Sequence, residues 1–373
     1  MTGDLNDYIP IEGVKFDELE YYYGLMNEVF RDHLIGSFNI IVDAIGETEA
    51  LAILKPIMKH EAVYVYHQAK QNFGVKGNGL DTLLISYLLG SMGVSNDLSG
   101  EIMERGAVGI TRNCILKDAP LSLCFAISHF ASEGMCDAIN PDYECIWTHH
   151  ESDGDQYCRY VFKKRSDHII DLDDLGASVT PITMPPIEGL PRMAMRRWFL
   201  AGVWRALNDV LEAKIGTIEA RKILGENAFS IGVRIAGRLK KEGKIESIDL
   251  DSVAQIVDYI GKAMNQRGNL KTNNEGSVIK VITDCSNQNN VSITCWQIEN
   301  FLNGLTKGLN PDLEFSYASI IHDGGKNCVW SLQNKAATES KELKGLKTRL
   351  LSRFVEGEIS EEEYRKMKKV LEE

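Results

Sequence analysis

Six of the eight cysteines occur at the same spacing in two halves of the chain. A shift of about 170 residues places one set of three on the other: Cys114, Cys124 and Cys158 on Cys285, Cys295 and Cys328. A thiolate can bind zinc, attack an electrophile or form a reversible disulfide, whereas a buried thiol packs as a small apolar side chain. The spacing therefore predicts one chemistry, or one packing role, for both halves.

A zinc site is one chemistry that these residues could support, since a tetrahedral site takes about four thiolate or imidazole ligands. The candidate ligands of the first half are Cys124, Cys145, His150 and Cys158, with His149 or Glu151 as alternatives to Cys145. Those of the second half are Cys285, Cys295, His322 and Cys328. No C-x-x-C pair occurs in the chain, so the pattern differs from that of a zinc finger.

Two further residues of the first half have alternative roles. Cys114 could attack an electrophilic carbon, or it could join Cys124 in a reversible disulfide. His129 lies beside Phe130 on a predicted helix, so it is either a hydrogen-bonded core histidine or a catalytic base. All three thiols of each half could instead be buried against a sheet.

The overall charge excludes two classes of partner. The 373 residues carry a net charge of −12, and nonspecific binding to nucleic acid or to an anionic membrane needs a basic surface.

No apolar run approaches the roughly 20 residues that a membrane helix requires. The first residues are acidic and polar, which is not typical of a secretory signal. We therefore expect a cytoplasmic protein with reduced thiols.

The elements that would position these residues follow an α+β order. Residues 16–100 show the apolar spacing of helices, with Leu34, Phe38 and Ile41 on one face. A further helix over Leu121–Gly134 carries Cys124 and His129. Short β-rich segments bounded by turn signals then predict an antiparallel sheet: Ala107–Thr111, Tyr143–His149 and Tyr157–Phe162.

Other matches at the same shift, such as Asn140-Pro141-Asp142 on Asn310-Pro311-Asp312, predict a duplicated domain. Each copy would pack a helical segment on an antiparallel sheet, and together they would form an intramolecular pseudo-dimer. The predicted organisation is a first copy, a proline-rich extended linker, a second copy and a C-terminal helical hairpin, at 16–163, 164–191, 192–333 and 340–373.

The C-terminal segment resembles the short C-terminal domain family of helical hairpins. The resemblance is carried by Gly357-x-Ile359-Ser360 and by Glu363-Tyr364, where Ser360 and Glu363 also form a capping box. It implies oligomerisation or docking of a protein partner through the hairpin.

Each copy resembles the 4-vinyl-reductase type ligand-binding domain and the related L-2-amino-thiazoline-4-carboxylic acid hydrolase-like proteins. The pattern is a helical segment followed by Cys, Pro-x-x-x-Cys and Gly-Asp-x-x-Cys-x-Tyr. The resemblance implies an apolar cavity between helices and sheet, with zinc on Cys124, Cys158 and His150. The family's acidic ligand falls near Trp147, which cannot bind zinc.

The hydrolase-like relatives add two positions. Their extra cysteine is matched by Cys114 and Cys285, and their acidic residue is matched by Glu299 and loosely by His129. Three functions follow as alternatives: a small-molecule binding or sensing protein, a hydrolase that opens a cyclic C–N bond, and a thiol redox switch. The first copy is the better candidate for chemistry, because it alone has the His149-His150-Glu151 cluster.

Overall fold

The computed structural model describes residues 16–95, 97–168, 172–184, 190–245, 247–264, 266–272, 277–285, 293–319, 328–335 and 366. The contacts between residues divide the chain into two units. The first contains Met1–Asn227 with Ser292–Trp296, and the second contains Ala228–Val291 with Gln297–Glu373. The predicted organisation places the division at 164–191, whereas the contacts place it at Asn227.

The helices of the first unit follow the apolar spacing of its sequence. Leu34, Phe38 and Ile41 form a buried stripe on α1, as the three-to-four-residue periodicity predicts. Gly46, with a φ of 84°, separates α1 from α2 in a backbone conformation that other residues rarely adopt. The helices are α1 Phe16–Ile45, α2 Glu47–Phe73, α3 Leu80–Ser91, α4 Leu121–Ile139, α5 Leu190–Ile215 and α6 Thr217–Lys241, the last extending into the second unit.

The first unit contains a five-stranded antiparallel sheet of order β3-β4-β2-β1-β5. Its strands are β1 Asp97–Met103, β2 Gly106–Arg112, β3 Tyr143–His149, β4 Cys158–Lys164 and β5 Ser178–Thr183. Two of these strands differ from expectation. The first residues of β1 lie within the range predicted to be helical, and β5 lies within the predicted linker.

The core of the first unit lies between α2, α3 and α4 and one face of this sheet. Alternation along β4 directs Tyr160 and Phe162 to that face, where they meet Tyr87 of α3. Trp147 of β3 packs against the same cluster. The opposite face is covered in part by Leu175, which packs on Val108 and Val161.

The second unit contains helices and an antiparallel sheet of its own. It contains α7 Leu250–Ala263, most of α8 Ile293–Leu309, and strands β6 Gln266–Thr272, β7 Val278–Cys285, β8 Leu313–Ser319 and β9 Cys328–Asn334. The sheet order is β6-β7-β9-β8, and all its pairs are antiparallel. Helices with two antiparallel sheets confirm the predicted α+β class, while the duplication itself stays a prediction.

Two further predictions concern membrane-spanning helices and the C-terminal segment. Within the described ranges, no helix combines the length and apolar character that crossing a membrane requires. The C-terminal hairpin predicted at 340–373 lies outside the described residues, apart from Lys366.

Candidate functional site

The first unit contains a cavity between its helices and its sheet. Its volume is about 80 Å³, and the empty space around it, which includes open solvent, is about 710 Å³. The apolar wall consists mainly of aliphatic and aromatic side chains: Met58, Ala62, Val65, Val94, Leu116, Ile127, Ala131, Met135, Tyr87, Trp147 and Phe199. A mostly apolar cavity with a few polar groups is the usual form of a small-molecule site.

Most polar groups of the wall are engaged by the protein. The Tyr87 hydroxyl donates to the Ser128 carbonyl oxygen at 3.0 Å, and the Ser128 hydroxyl donates to the Cys124 carbonyl oxygen at 2.7 Å. The first bond ties α3 to α4, and the second lies within α4. They fix the wall and leave few polar atoms to bind a ligand.

Three thiols from three elements line the cavity. Cys114 follows β2, Cys124 lies on α4 and Cys158 begins β4, and all three are buried. Burial raises the pKa of the Cys124 thiol to about 11, and it raises the pKa values of Cys114 and Cys158 in the same way. These three cysteines line one cavity, and at neutral pH they are protonated thiols.

Glu151 holds the turn that carries Cys114. Its carboxylate accepts hydrogen bonds from the backbone N–H groups of Asn113 at 3.0 Å and Cys114 at 2.9 Å. Its own N–H donates to Cys158 Sγ at 3.3 Å. Asn113 has a φ of 57°, and asparagine tolerates this left-handed conformation better than most residues. Glu151 therefore positions two of the three thiols.

Two histidines meet beside the cavity. His129 Nε2 of α4 lies 3.2 Å from His150 Nε2, and the His150 ring stacks on Trp147. Burial, together with the charge that His150 would carry, lowers the pKa of His129 to about 4. Burial also lowers the pKa of His150. The pair is therefore neutral at pH 7, so one ring can donate a hydrogen bond to the other.

Zinc at the candidate ligands stays a prediction. Across the described chain, no three His, Cys, Asp or Glu side chains form a group that could hold a metal ion. Cys145 pairs with Phe162 on β4, which is four residues from Cys158, or about 13 Å along a strand. Cys145 lies instead near Cys136. Among the described candidates, His129 and His150 meet through their Nε2 atoms, while Cys114, Cys124 and Cys158 lie near Glu151.

The second set of candidate ligands is described only in part. Cys285 ends β7, but its side chain lies outside the described residues, as does all of His322. Cys295 of α8 and Cys328 of β9 are half-buried. Glu299 accepts a hydrogen bond from the Tyr317 N–H at 3.1 Å, so it links α8 to β8.

Several residues of the cavity were not singled out from the sequence. Glu61 of α2 and Phe199 of α5 line the cavity. Trp147 also lines it, although the resemblance only places this residue near a zinc-ligand position that it cannot fill. No local signal distinguishes Glu61, because a charged residue on a long helix is usually solvated. Its importance follows from the packing of α2 against α5.

Comparison with known proteins adds no relative: the chain matches no family model, no curated protein and no solved structure.

Proposed function

We propose that the first unit binds a small, mainly apolar molecule in the cavity between α2, α3, α4 and the sheet. The observation that carries this proposal is the cavity itself, which apolar side chains and protonated thiols line. An aromatic or hydrocarbon ligand would bury apolar surface there without leaving its own polar groups unpaired. The resemblance to a 4-vinyl-reductase type domain supports the same function.

The state of the thiols favours binding over the other two functions. A hydrolase nucleophile or a redox switch needs a thiolate that is accessible at neutral pH. Cys114 and Cys124 are buried, and burial raises the pKa of both. Ring opening and disulfide switching are therefore less well supported as proposals.

Zinc remains a separate proposal for this protein. Two imidazole nitrogens 3.2 Å apart could serve one metal ion, but a third ligand would have to move to join them. Elemental analysis of the purified chain would measure the zinc-to-protein ratio. A ratio of one or two would support zinc, and a ratio of zero would remove it.

Ligand binding is tested by filling the cavity. Ala62 on α2 is buried and lines the cavity, so Ala62→Leu should occupy the space that a ligand needs. Ala69 is also buried on the same helix and in the same core cluster, but it is not among the residues that line the cavity. Ala69→Leu is therefore the matched control, since both changes overpack a core and cost roughly 1–3 kcal/mol of stability.

The measurement is the thermal shift and the native mass spectrum of the full chain with phenol, indole and toluene. We expect the wild type and Ala69→Leu to bind at least one of these molecules and Ala62→Leu to bind none. Equal binding by both variants would place the ligand elsewhere. A wild type that binds nothing in such a panel would count against the proposed function.

Two further features accompany the proposal. The seven cysteines whose side chains the structure describes form no disulfide with one another. The cytoplasmic location stays a prediction. Homo-oligomerisation, or docking of a protein partner through 340–373, stays a prediction from the C-terminal sequence.

A further inference from the structure

The cavity has one acidic side chain among its described lining residues, Glu61 of α2. It lies beside Met58, Ala62 and Val65 of the same helix, all of them apolar. On the α5 side the wall is Phe199. Glu61 is half-buried, so its carboxylate loses part of the water that would solvate its charge.

The surroundings of Glu61 show that the protein itself gives this carboxylate little compensation. Burial raises the pKa of Glu61, and the charges of His60 and Arg205 counteract this effect only in part. Among the described residues, no hydrogen bond or ion pair within 4.0 Å involves its carboxylate.

Gly202 of α5 leaves space next to this group. A Cβ atom at that position would lie 3.9 Å from Glu61 Oε2, within van der Waals contact. Because glycine has no side chain, position 202 supplies no side-chain group that contacts the carboxylate oxygen.

Other described residues of the lining are uncharged. Cys114, Cys124 and Cys158 are neutral, and Ile127 and Trp147 are apolar. A ligand with its charged group at Glu61 would thus place an uncharged body against these side chains.

We propose that the ligand of this cavity is a small amine or amidine whose cationic nitrogen binds the Glu61 carboxylate and whose apolar body lies among Val65, Ile127, Trp147 and Phe199. This inference rests on the proposed function. The nitrogen supplies the hydrogen bonds that Glu61 lacks, and a charge-assisted hydrogen bond is among the stronger polar contacts. A neutral molecule of the same shape would fill the cavity but leave the carboxylate unpaired.

The test compares benzylamine with benzyl alcohol, which differ in charge but hardly in shape, by calorimetric titration of the full chain. We expect the wild type to bind benzylamine more tightly. Glu61→Gln should weaken benzylamine binding roughly tenfold to a hundredfold, the range for a hydrogen bond to a charged group, and leave benzyl alcohol binding nearly unchanged. Glu61→Asp retains the charge and should lose less of the affinity for benzylamine.

Glu49→Gln is the matched control. Glu49 lies on the same helix, is exposed and pairs with Lys214 at 2.7 Å, so its loss should not alter either affinity. If Glu61→Gln retains the preference for benzylamine while benzyl alcohol still binds, the inference is wrong and the proposed function stands. If neither molecule binds the wild type and the apolar panel also fails, both are overturned. A melting curve for each variant shows that it is folded.

Discussion

His129 and His150 show how strongly position determines the chemistry of a residue. A solvated histidine titrates near pH 6.5, whereas burial and the neighbouring imidazole lower the pKa of His129 to about 4. The two Nε2 atoms are 3.2 Å apart, so the pair is stable when at least one ring is neutral. Asp153 and Asp155 raise the pKa of His150, but burial outweighs them. The His129 ring also stacks on Trp147, which links α4 to β3.

This pair predicts a pH dependence of stability. Because the pKa of His129 is lower in the folded than in the unfolded state, the unfolded chain binds more protons between pH 6.5 and 4. The contribution of His129 to the free energy of unfolding is therefore complete above about pH 6.5. It is lost as the pH falls towards about 4. Urea denaturation at several pH values would measure it.

The matched comparison for this prediction is between two histidine variants. His129→Gln should make the free energy of unfolding less dependent on pH between about pH 4 and 6.5. His168→Gln, at an exposed position, should leave this pH dependence unchanged. Equal slopes for the wild type and His129→Gln would show that this histidine is not responsible.

Strand pairing sets the shape of the cavity wall at the scale of elements. Gly109 of β2 pairs with Tyr160 of β4, and a Cβ atom on Gly109 would lie about 2.2 Å from the Tyr160 ring. The glycine therefore lets the ring lie flat against the sheet, where it contacts Tyr87 and Trp147. β5 is an edge strand of the same sheet and, among the described strands, pairs only with β1. An edge strand tolerates a proline, which explains how β5 can contain Pro181.

Gly109→Ala is predicted to destabilise the first unit. The added methyl group would force the Tyr160 ring away from β2, at a cost of about 1–3 kcal/mol for overpacking. Gly24→Ala is the control, because nothing lies within 4 Å of its Cβ position on α1. That change should stabilise the chain by about 0.5–1 kcal/mol, since alanine favours a helix over glycine. Chemical denaturation of both variants checks the prediction, and equal effects would contradict it.

At the scale of the whole molecule, two sheets with the same strand order have different interiors. Lys280 pairs with Trp330 in the second unit, at the register position where Gly109 pairs with Tyr160 in the first. Lys280 is fully buried, and its Nζ lies 2.8 Å from Asp258 Oδ1 and donates to the Gln266 carbonyl oxygen at 2.7 Å. An ion pair thus occupies this part of the second interior, which favours the first unit as the ligand site.

Removing one member of this pair should be severely destabilising. Lys280→Met leaves Asp258, which is 3% exposed, with Lys262 as its remaining ion-pair partner among the described residues. The expected loss is about 3–5 kcal/mol, as for other buried pairs broken on one side. Adding Asp258→Leu should recover much of it, because an apolar pair needs no compensation.

The matched control is the half-exposed pair of Arg238 and Glu242. Arg238→Met should cost about 1 kcal/mol or less, since surface pairs contribute little. Calorimetric unfolding of the full chain would measure all three variants. A small effect of Lys280→Met would show that the buried charge is not structurally important.

The sequence by itself determined the α+β class, the start of α4 at Leu121 and the strand at Tyr143–His149. Such features depend on hydrophobic periodicity and turn residues, which are local properties of the chain. It also singled out Cys114, Cys124 and Cys158 as a group.

Only the tertiary structure decided which candidate side chains meet. It placed Cys145 about 13 Å along the sheet from Cys158, joined His129 to His150, and brought Glu61 to the cavity. The reason is physical: convergence depends on strand register and on the packing of helices far apart in sequence. Repeated cysteines predicted equivalent sites in both halves, but the surroundings of the thiols gave the first unit a lined cavity instead of a preformed metal centre.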